Sequence, residues 1–451
     1  MRIAVIGLGK LGSPLAAVMA AKGHDVIGVD QNPDFVAAIQ AGRAPVREPQ
    51  LDEMIAAGRE RLTAMLDCVA AVTASEITFI VVPTPSAPSG GFSLRYVLEA
   101  IESVGAALRD RREPHMVVVT STVMPGATGG EIAPALARAS GRVIGQNVGL
   151  CYNPEFIALG SVVRDMLHPD FVLIGESDPH SGAKLEELYR TVIGSKPRVV
   201  RMNFINAEIT KISVNTFVTT KISYANMIAD VCDRLTGADA DVVTGALGLD
   251  ARIGGRYLKG ALGYGGPCFP RDNRAFARLA RNVGALPVLA EATDEINRHQ
   301  SVRLSALVER YLQPDARVAV LGLSYKPDTS VIEESASIEL ARRLTAHGYA
   351  VTVHDPRAIE QSRAVLRGSV RYAETAASAV SGADVVVLAT AWPEYTALDP
   401  TLFVRPAGRR AVVIDCWRVL PREALHEVCD IVYLGNGDNP APAADSATAV
   451  G

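Results

Sequence analysis

Cysteine is scarce and scattered in this 451-residue chain, six residues in all at 68, 151, 232, 268, 416 and 429, with no CxxC pair. Neither a disulfide framework nor a zinc centre is indicated, no metal is expected, and a reducing, cytoplasmic setting follows. An excess of one charge is also lacking: 45 Lys and Arg face 49 Asp and Glu, a formal net charge of -4. That balance argues against a general affinity for nucleic acid or an anionic membrane, while leaving room for a local anion pocket. No apolar run reaches the ~18 residues of a membrane helix, and the opening MRIAVIGLGKLGS enters a strand pattern directly, so no signal peptide is expected. What is present is 48% hydrophobic residue content, enough over this length for two or three domains with full cores. Only the end, NGDNPAPAADSATAVG from Asn436, lacks large apolar residues, and it is expected to be a mobile tail.

The first motif follows from local geometry. RIAVI at 2–6 reads as a buried parallel strand, GLGKLG follows at once, then an Ala-rich helical pattern, and a second strand HDVIGVD ends at Asp30. In that order the glycines form a dinucleotide fingerprint. Gly7 makes the turn, Gly9 lets a pyrophosphate approach, Gly12 brings helix against sheet, and the helix start offers N–H groups to phosphate. Lys10 and Leu11 complete the turn. Asp30, 18 residues after Gly12, suits ribose hydroxyls and repels a 2′-phosphate, so NAD is expected over NADP. Further strands in ITFIVVPTP and HMVVVTSTV end in hydroxyl residues, making Thr84, Ser121 and Thr122 candidate cofactor neighbours. The plainer reading is that these hydroxyls cap turns.

Near residue 317 the opening recurs: RVAVLGLSYKPD echoes RIAVIGLGKLGS, and GYAVTVHDP echoes GHDVIGVDQNP. A second Rossmann-like half begins there. Its turn has Tyr325 and Lys326 and lacks the second glycine, so it is not expected to take a second dinucleotide and suits another nucleotide. Between the halves, NFINAEITKISVNTFVTTKISYANMIADVCDRLTG runs without a proline and reads as one long helix with an apolar face fit for a second copy. Lys211 and Asn215 share a face of it, although a lysine on such a helix is ordinarily solvated. The expected fold is therefore α/β, two Rossmann-like doubly wound domains joined by a long central helix. Its parts are an NAD-binding domain at 1–202, a helical domain at 203–300, a nucleotide-binding domain at 301–435 and the tail at 436–451.

GYGGPCFPRD, Gly263 to Asp272, sets one cysteine among three glycines and two prolines. A buried cysteine packs on a strand or helix, whereas this one is exposed by its flanks and open to close ligand approach. Glycine turns are common and a cysteine can fall in one by accident, so this segment alone leaves the matter even.

Taken together, GLGKLG, EPQLDEM at Glu48, PTP at Thr84, STV at Ser121, NPEF at Asn153, KISVN at Lys211, ARIG at Ala251, GYGGPCFPRD and GLSYKPDT at Gly322 resemble the UDP-glucose/GDP-mannose dehydrogenase family, over residues 1 to about 435. The resemblance implies a four-electron oxidation of the C6 alcohol of a nucleotide-linked hexose to a carboxylate with two NAD in succession. It implies Cys268 as the nucleophile that forms a thiohemiacetal and then a thioester, Lys211 and Asn215 as oxyanion stabilisers, and a water held by Asp272 and Thr122 as base. Glu155 would activate the hydrolytic water and also neighbour the cofactor, whose phosphates Arg271 would reach. Phe156, Tyr257, Leu258, Tyr264, Gly265, Tyr325 and Lys326 would line the substrate, and Arg252 would cross a homodimer to the partner's substrate.

Several positions depart from that pattern. Leu159 stands where a second glutamate is common, Phe171 replaces the arginine of PDR, Val331 and Glu333 replace the Asp and Arg of DTxDxR, and Trp417 occupies an arginine-type position. None touches Cys268, Lys211, Asn215, Asp272 or Glu155, so the chemistry is expected to survive while nucleotide contacts rearrange; Arg418 is a candidate to replace the arginine missing at Trp417. UDP-glucose is the default substrate, with dTDP-glucose or a UDP-N-acetylhexosamine as alternatives. Two rival classes stay open: a two-electron hydroxyacid-type dehydrogenase, which needs no cysteine, and a non-enzymatic NAD sensor.

Overall fold

The computed structural model describes residues 1–87, 90–194, 198–406 and 409–442. It has the expected fold class, two parallel-sheet α/β bodies with a long helix between them in sequence. The compact units are 1–214 with 281–283, and 215–280 with the chain from 284 onward. The helices that follow residue 215 thus group with the second sheet.

In the first unit the strands are β1 (Arg2–Ile6), β2 (Asp25–Val29), β3 (Leu62–Met65), β4 (Ile77–Ile80), β5 (His115–Val119), β6 (Val148–Tyr152), β7 (Phe171–Glu176) and β8 (Arg198–Met202). They lie in the order β3-β2-β1-β4-β5-β6-β7-β8, parallel except where β7 meets β6 antiparallel. The alternation of β1 explains the layers. Ile3 and Val5 enter the core on one face, with Leu15 and Met19, while Ala4 and Ile6 enter that on the other, with Val97 and Ile101. Burying each of the Ile, Val, Leu and Met side chains among these stabilises the fold by about 1.5–3 kcal/mol.

The second unit repeats the device with β9 (Arg317–Leu321), β10 (Ala350–His354), β11 (Arg371–Tyr372), β12 (Val385–Leu388), β13 (Ala411–Asp415) and β14 (Cys429–Tyr433), all parallel in the order β11-β10-β9-β12-β13-β14. Val318 and Val320 feed one core face, Ala319 and Leu321 the other. In both sheets the first strand sits where the strand order reverses, and that reversal opens a crevice at the carboxyl edge.

The long helix runs Phe204–Cys232, 29 residues, or about 44 Å at 1.5 Å per residue. Glu208, fully buried on it, accepts from Gly126 N at 2.6 Å and Thr128 N at 2.7 Å, holding the loop that follows β5. The first residues of the expected mobile tail make hydrogen bonds: Gly437 N donates to Ala238 O, Asp438 accepts from Gly237 N, and Tyr311 Oη donates to Pro440 O. Residues 443–451 lie outside the described residues.

Candidate active site

The turn after β1 meets the steric demands of a dinucleotide cradle. Gly7 has φ +97°, and a Cβ there would lie 2.3 Å from Val81 O. A Cβ on Gly12 would lie 1.8 Å from Gly7 O, which is the close helix–strand packing of the third glycine, and the helix Gly12–Ala21 starts at that residue. At Gly9 nothing lies within 4 Å of an added Cβ, so the backbone is open to a ligand. Lys10 is exposed, and Leu11 packs partly into the core. Asp30, at the end of β2, accepts from Leu8 N at 2.6 Å and Asn32 N at 2.8 Å and keeps part of its surface exposed. The residues of the turn fit a bound NAD.

The hydroxyl residues at the ends of β4 and β5 tie the two strand ends to each other. Ser121 Oγ donates to Val82 O (2.7 Å) and accepts from Val82 N (2.9 Å), and Thr84 Oγ1 donates to the main-chain oxygen of Thr122 (2.7 Å). The buried Glu208 pair described above then fixes the continuation of the Thr122 loop.

After β6 the chain turns through Asn153, Glu155 and Phe156. Glu48 accepts from Gly160 N and Val162 N, both at 2.9 Å, so the far end of this loop is pinned by a residue more than a hundred positions away. Lys211 Nζ donates to Glu155 O at 2.6 Å and stands 4.8 Å from the centroid of the Phe156 ring. Phe156 in turn packs on Phe171 at 4.7 Å between centroids. The phenylalanine at 171 thus backs the ring that Lys211 covers. Leu159 packs partly into the core, so no second carboxylate stands there. Burial pushes the Glu155 carboxyl above the usual range, against the opposing Lys211 charge, and Tyr189 Oη stands 3.0 Å from Oε1.

In the second unit, Cys268 is exposed and immediately precedes the helix Phe269–Asn282, with Asp272 N donating to Cys268 O at 2.8 Å. Its loop is clamped from three directions. Asn297 accepts from Tyr264 N at 2.8 Å and donates to Tyr264 O at 2.9 Å; Gly266 N donates to Glu333 O at 2.9 Å; Ala261 N donates to Asn226 Oδ1, on the long helix, at 2.9 Å. A Cβ on Gly265 would come within 2.5 Å of Glu334 O, and one on Gly266 within 2.6 Å of the Tyr325 ring. The glycines are therefore required by the neighbouring Tyr325 segment, whatever ligand they admit. Val331 and Glu333 contribute through their carbonyls, Val331 O accepting from Tyr325 N at 3.0 Å, so the departure from the family side chains leaves the loop's scaffold intact.

Asp272 is fully buried. Asn215 Nδ2 donates to its Oδ2 at 2.6 Å, and the Arg271 guanidinium lies 2.9 Å from its Oδ1. Arg271, expected near cofactor phosphates, is thus placed on Asp272. Lys211 and Asn215 stand one turn apart on the long helix. Tyr257 adopts φ +63° and is exposed, Leu258 and Tyr264 are buried, and Lys326 Nζ lies 5.9 Å from the Tyr325 ring. Arg252 pairs with Asp250 at 2.6 Å while its side chain is 89% exposed. Trp417 donates from Nε1 to Ala389 O, and Arg418 is occupied by both oxygens of Asp239 and the carbonyls of Leu434 and Gly435. Arg418, the candidate replacement for the missing arginine, is thus engaged as a tie between Asp239 and the chain after β14.

The comparisons with known proteins decide the family. Residues 1–193 match the NAD binding domain of the UDP-glucose/GDP-mannose dehydrogenase family, 205–299 its central domain and 319–422 its UDP binding domain. The chain belongs to that family. It is similar to the UDP-glucose 6-dehydrogenase AglM of Haloferax volcanii, 37% identical over 428 residues, covering 94% of this chain and 98% of the relative. Among solved structures, a UDP-glucose dehydrogenase from Pyrobaculum islandicum aligns with TM-score 0.86 at 37% identity over 98% of both chains. A UDP-D-ManNAc dehydrogenase from Pyrococcus horikoshii aligns with TM-score 0.82 at 25% identity over 97% of this chain and 100% of that one. As a member of this NAD-using family of nucleotide-sugar 6-dehydrogenases, the chain is an oxidoreductase whose substrate is a nucleotide sugar. Among the described residues no helix is long and apolar enough to cross a membrane.

Neither Tyr189 nor Glu208, nor the loop clamps Asn226 and Asn297, stood out in the sequence. Each acts on an element far away in the chain, and no local spacing marks them.

Proposed function

We propose that this enzyme oxidises the C6 alcohol of UDP-glucose to the carboxylate, four electrons in all, with Cys268 as the covalent nucleophile. The observation that carries this reading is the setting of Cys268. It is the exposed cysteine, on a glycine loop at the head of a helix, while Cys151, Cys232, Cys416 and Cys429 are buried and Cys68 is half-buried. Burial pushes the thiols of Cys68 and Cys429 up to about 11 and those of Cys151 and Cys416 higher still, so they are inert as nucleophiles.

In the first oxidation the alcohol proton passes to a water held by Asp272 and Thr122, and Lys211 and Asn215 stabilise charge on the oxygen. The Cys268 thiolate then adds to the aldehyde carbon, the carbonyl electron pair moving to oxygen, and the second oxidation leaves a thioester. Water, its proton taken by Glu155, adds to that carbonyl; the C–S bond breaks, releasing the acid and restoring Cys268. The raised Glu155 supports the last step, because a carboxylate with higher proton affinity is a better general base. NAD, when bound at the Gly7–Gly12 turn, supplies the hydride acceptor for each oxidation.

UDP-glucose is favoured over dTDP-glucose and UDP-N-acetylhexosamines by the 37% identity, across nearly both full lengths, to relatives named for it. A homodimer with Arg252 reaching the partner's substrate is supported by the exposure of Arg252 and by Phe217, Tyr224, Met227 and Val231, exposed apolar residues on one face of the long helix.

The test is stoichiometry with one variant. Two NADH per acid formed from UDP-glucose is the expected result, and one NADH with an aldehyde or ketone as the end product sinks the four-electron reading. Cys268→Ser should lower acid formation roughly 10³-fold or more while NAD still binds; unchanged acid production would overturn the assignment of the nucleophile.

A further inference from the structure

The Glu155 loop contains a hydrogen-bond chain whose direction is fixed by stereochemistry. Asn153, 2% exposed, donates from Nδ2 to Leu173 O at 2.9 Å, which sets the orientation of its amide and aims Oδ1 at Tyr189. Tyr189 Oη, on the buried face of the helix Pro179–Val192, lies 2.5 Å from that Oδ1 and 3.0 Å from Glu155 Oε1. A phenol carries one hydrogen. Two oxygens 2.5 Å apart without a hydrogen between them repel strongly, and an amide oxygen has none to give, so the Tyr189 hydrogen is committed to Asn153. The Tyr189 oxygen then turns a lone pair toward Glu155. The chain closes when Glu155 carries the proton, running Glu155 O–H to Tyr189 O–H to Asn153 O=C, and Asn153 N–H to Leu173 O=C.

From this we infer that Tyr189, oriented by Asn153, is a positioning residue that stabilises the acid form of Glu155 and thereby strengthens it as the base that takes a proton from the hydrolytic water. The inference rests on the thioester reading above for its catalytic half. Among the described residues of this unit, the titratable groups that act on the carboxyl are Tyr189 from its helix and Lys211 from the long helix. Lys211 is turned to the main-chain oxygen of Glu155 and the Phe156 ring, and its charge favours the carboxylate. Burial and the Tyr189 lone pair work the other way. Proton balance is simple: water gives one proton to Glu155 as its oxygen bonds to the thioester carbon, and the existing donor chain accepts the new O–H without rearranging any side chain.

The direction of the effect separates this from the opposite wiring, in which Tyr189 donates to a Glu155 carboxylate. In the protein without cofactor or substrate, the protonated-carboxyl infrared band that disappears in Glu155→Gln is titrated in the native chain and in Tyr189→Phe, a one-atom change whose folding is checked by circular dichroism. Removing the acceptor should lower the midpoint by about one pH unit, a tenfold loss of proton affinity. Asn153→Ala, which frees the Tyr189 hydrogen to turn to Glu155, should also lower it, and the double variant should show no more than the single ones. A midpoint that is unchanged or rises in Tyr189→Phe overturns the proposal. For the catalytic half, Tyr189→Phe should slow acid release about tenfold and let the acyl group accumulate on Cys268, read by intact-protein mass, with the acid limb of its pH profile moved to lower pH by the same unit. A lowered midpoint with undiminished hydrolysis overturns that half. If Glu155→Gln itself releases acid at the native rate, the thioester reading of Glu155 fails, while the infrared titration still judges the network.

Discussion

The two sheets open with nearly the same residues, and their turns do different things. After β1, Gly7 turns the chain, Gly9 leaves open space, and a helix starts at Gly12, five residues on. After β9, Gly322 turns the chain with φ +94°, but Ser324 stands where Gly9 would, buried, and the next helix, Ala336–Ala346, starts 14 residues on. The acids differ most. Asp30 accepts two backbone N–H groups and stays partly exposed, free to take ribose hydroxyls. Asp355, 2% exposed, accepts from Leu323 N, Ser324 N, Ser324 Oγ, Arg357 N, Ala358 N and Trp392 Nε1. One residue type at one place in the fold is a partly exposed carboxylate in the first half, as a ribose-facing acceptor would be, and a structural hub in the second. The difference is made by what surrounds the carboxylate, a glycine and a prompt helix in one case, a serine, a long loop and a tryptophan in the other.

The largest expected effect comes from closing the first turn. Gly12→Val places a Cβ within 1.8 Å of Gly7 O, so strand and helix must part. A loss of about 3 kcal/mol or more of stability and an NAD affinity reduced at least 100-fold are expected. Thermal denaturation and calorimetric NAD titration read the two, and retained NAD binding would show that the cradle lies elsewhere.

Next come the acids as a matched pair. Asp30→Ala should weaken NAD roughly 10- to 100-fold with little change in melting temperature. Asp355→Ala should do the reverse, leaving several buried donors without an acceptor at a cost of about 3 kcal/mol or more while NAD affinity is unchanged in whatever fraction is folded. If both variants lose NAD affinity equally, the division of labour between the halves is wrong.

This contrast was half legible in the sequence. The loss of the second glycine at Ser324 and the spacing of Asp30 are local features, so the first half's role and the second half's different one can be read from a few consecutive letters. That Asp355 is enclosed by Trp392 cannot, because the contact joins residues 37 apart whose approach is set by the sheet order. The active-site residues divide in the same way. The Cys268 loop alone leaves the cysteine's role even and helical spacing only puts Lys211 and Asn215 on one face; it is the ordered set of motifs along the chain that makes them candidates. Arg271, a candidate for cofactor phosphates, pairs with its own neighbour Asp272, a contact that motif spacing does not announce. Phe171 reads as a lost arginine until its ring is found against Phe156. The antiparallel β7 and the docking of the segment to Pro440 depend on pairings across the fold, where periodicity is silent.

The smallest change is an exchange between the turns themselves. Gly9→Ser adds a side chain where nothing lies within 4 Å, so stability should be nearly unaffected, yet the space it enters is the one a pyrophosphate needs, and NAD affinity should fall about tenfold or more. Ser324→Gly removes a hydroxyl that donates to Asp355 at 3.0 Å and adds backbone freedom to the unfolded chain, together about 1–2 kcal/mol of stability. It should create no dinucleotide site. Asp355 keeps its other donors, and with the next helix starting 14 residues after Gly322 there are no helical N–H groups at the turn for a phosphate to meet. Calorimetric titration of a double variant, Cys268→Ser to silence chemistry with Gly12→Val to disable the first turn, carrying Ser324→Gly, reads this directly. Any NAD binding recovered there would mean that the glycine alone distinguishes the halves, and that the spent acid and the long loop do not.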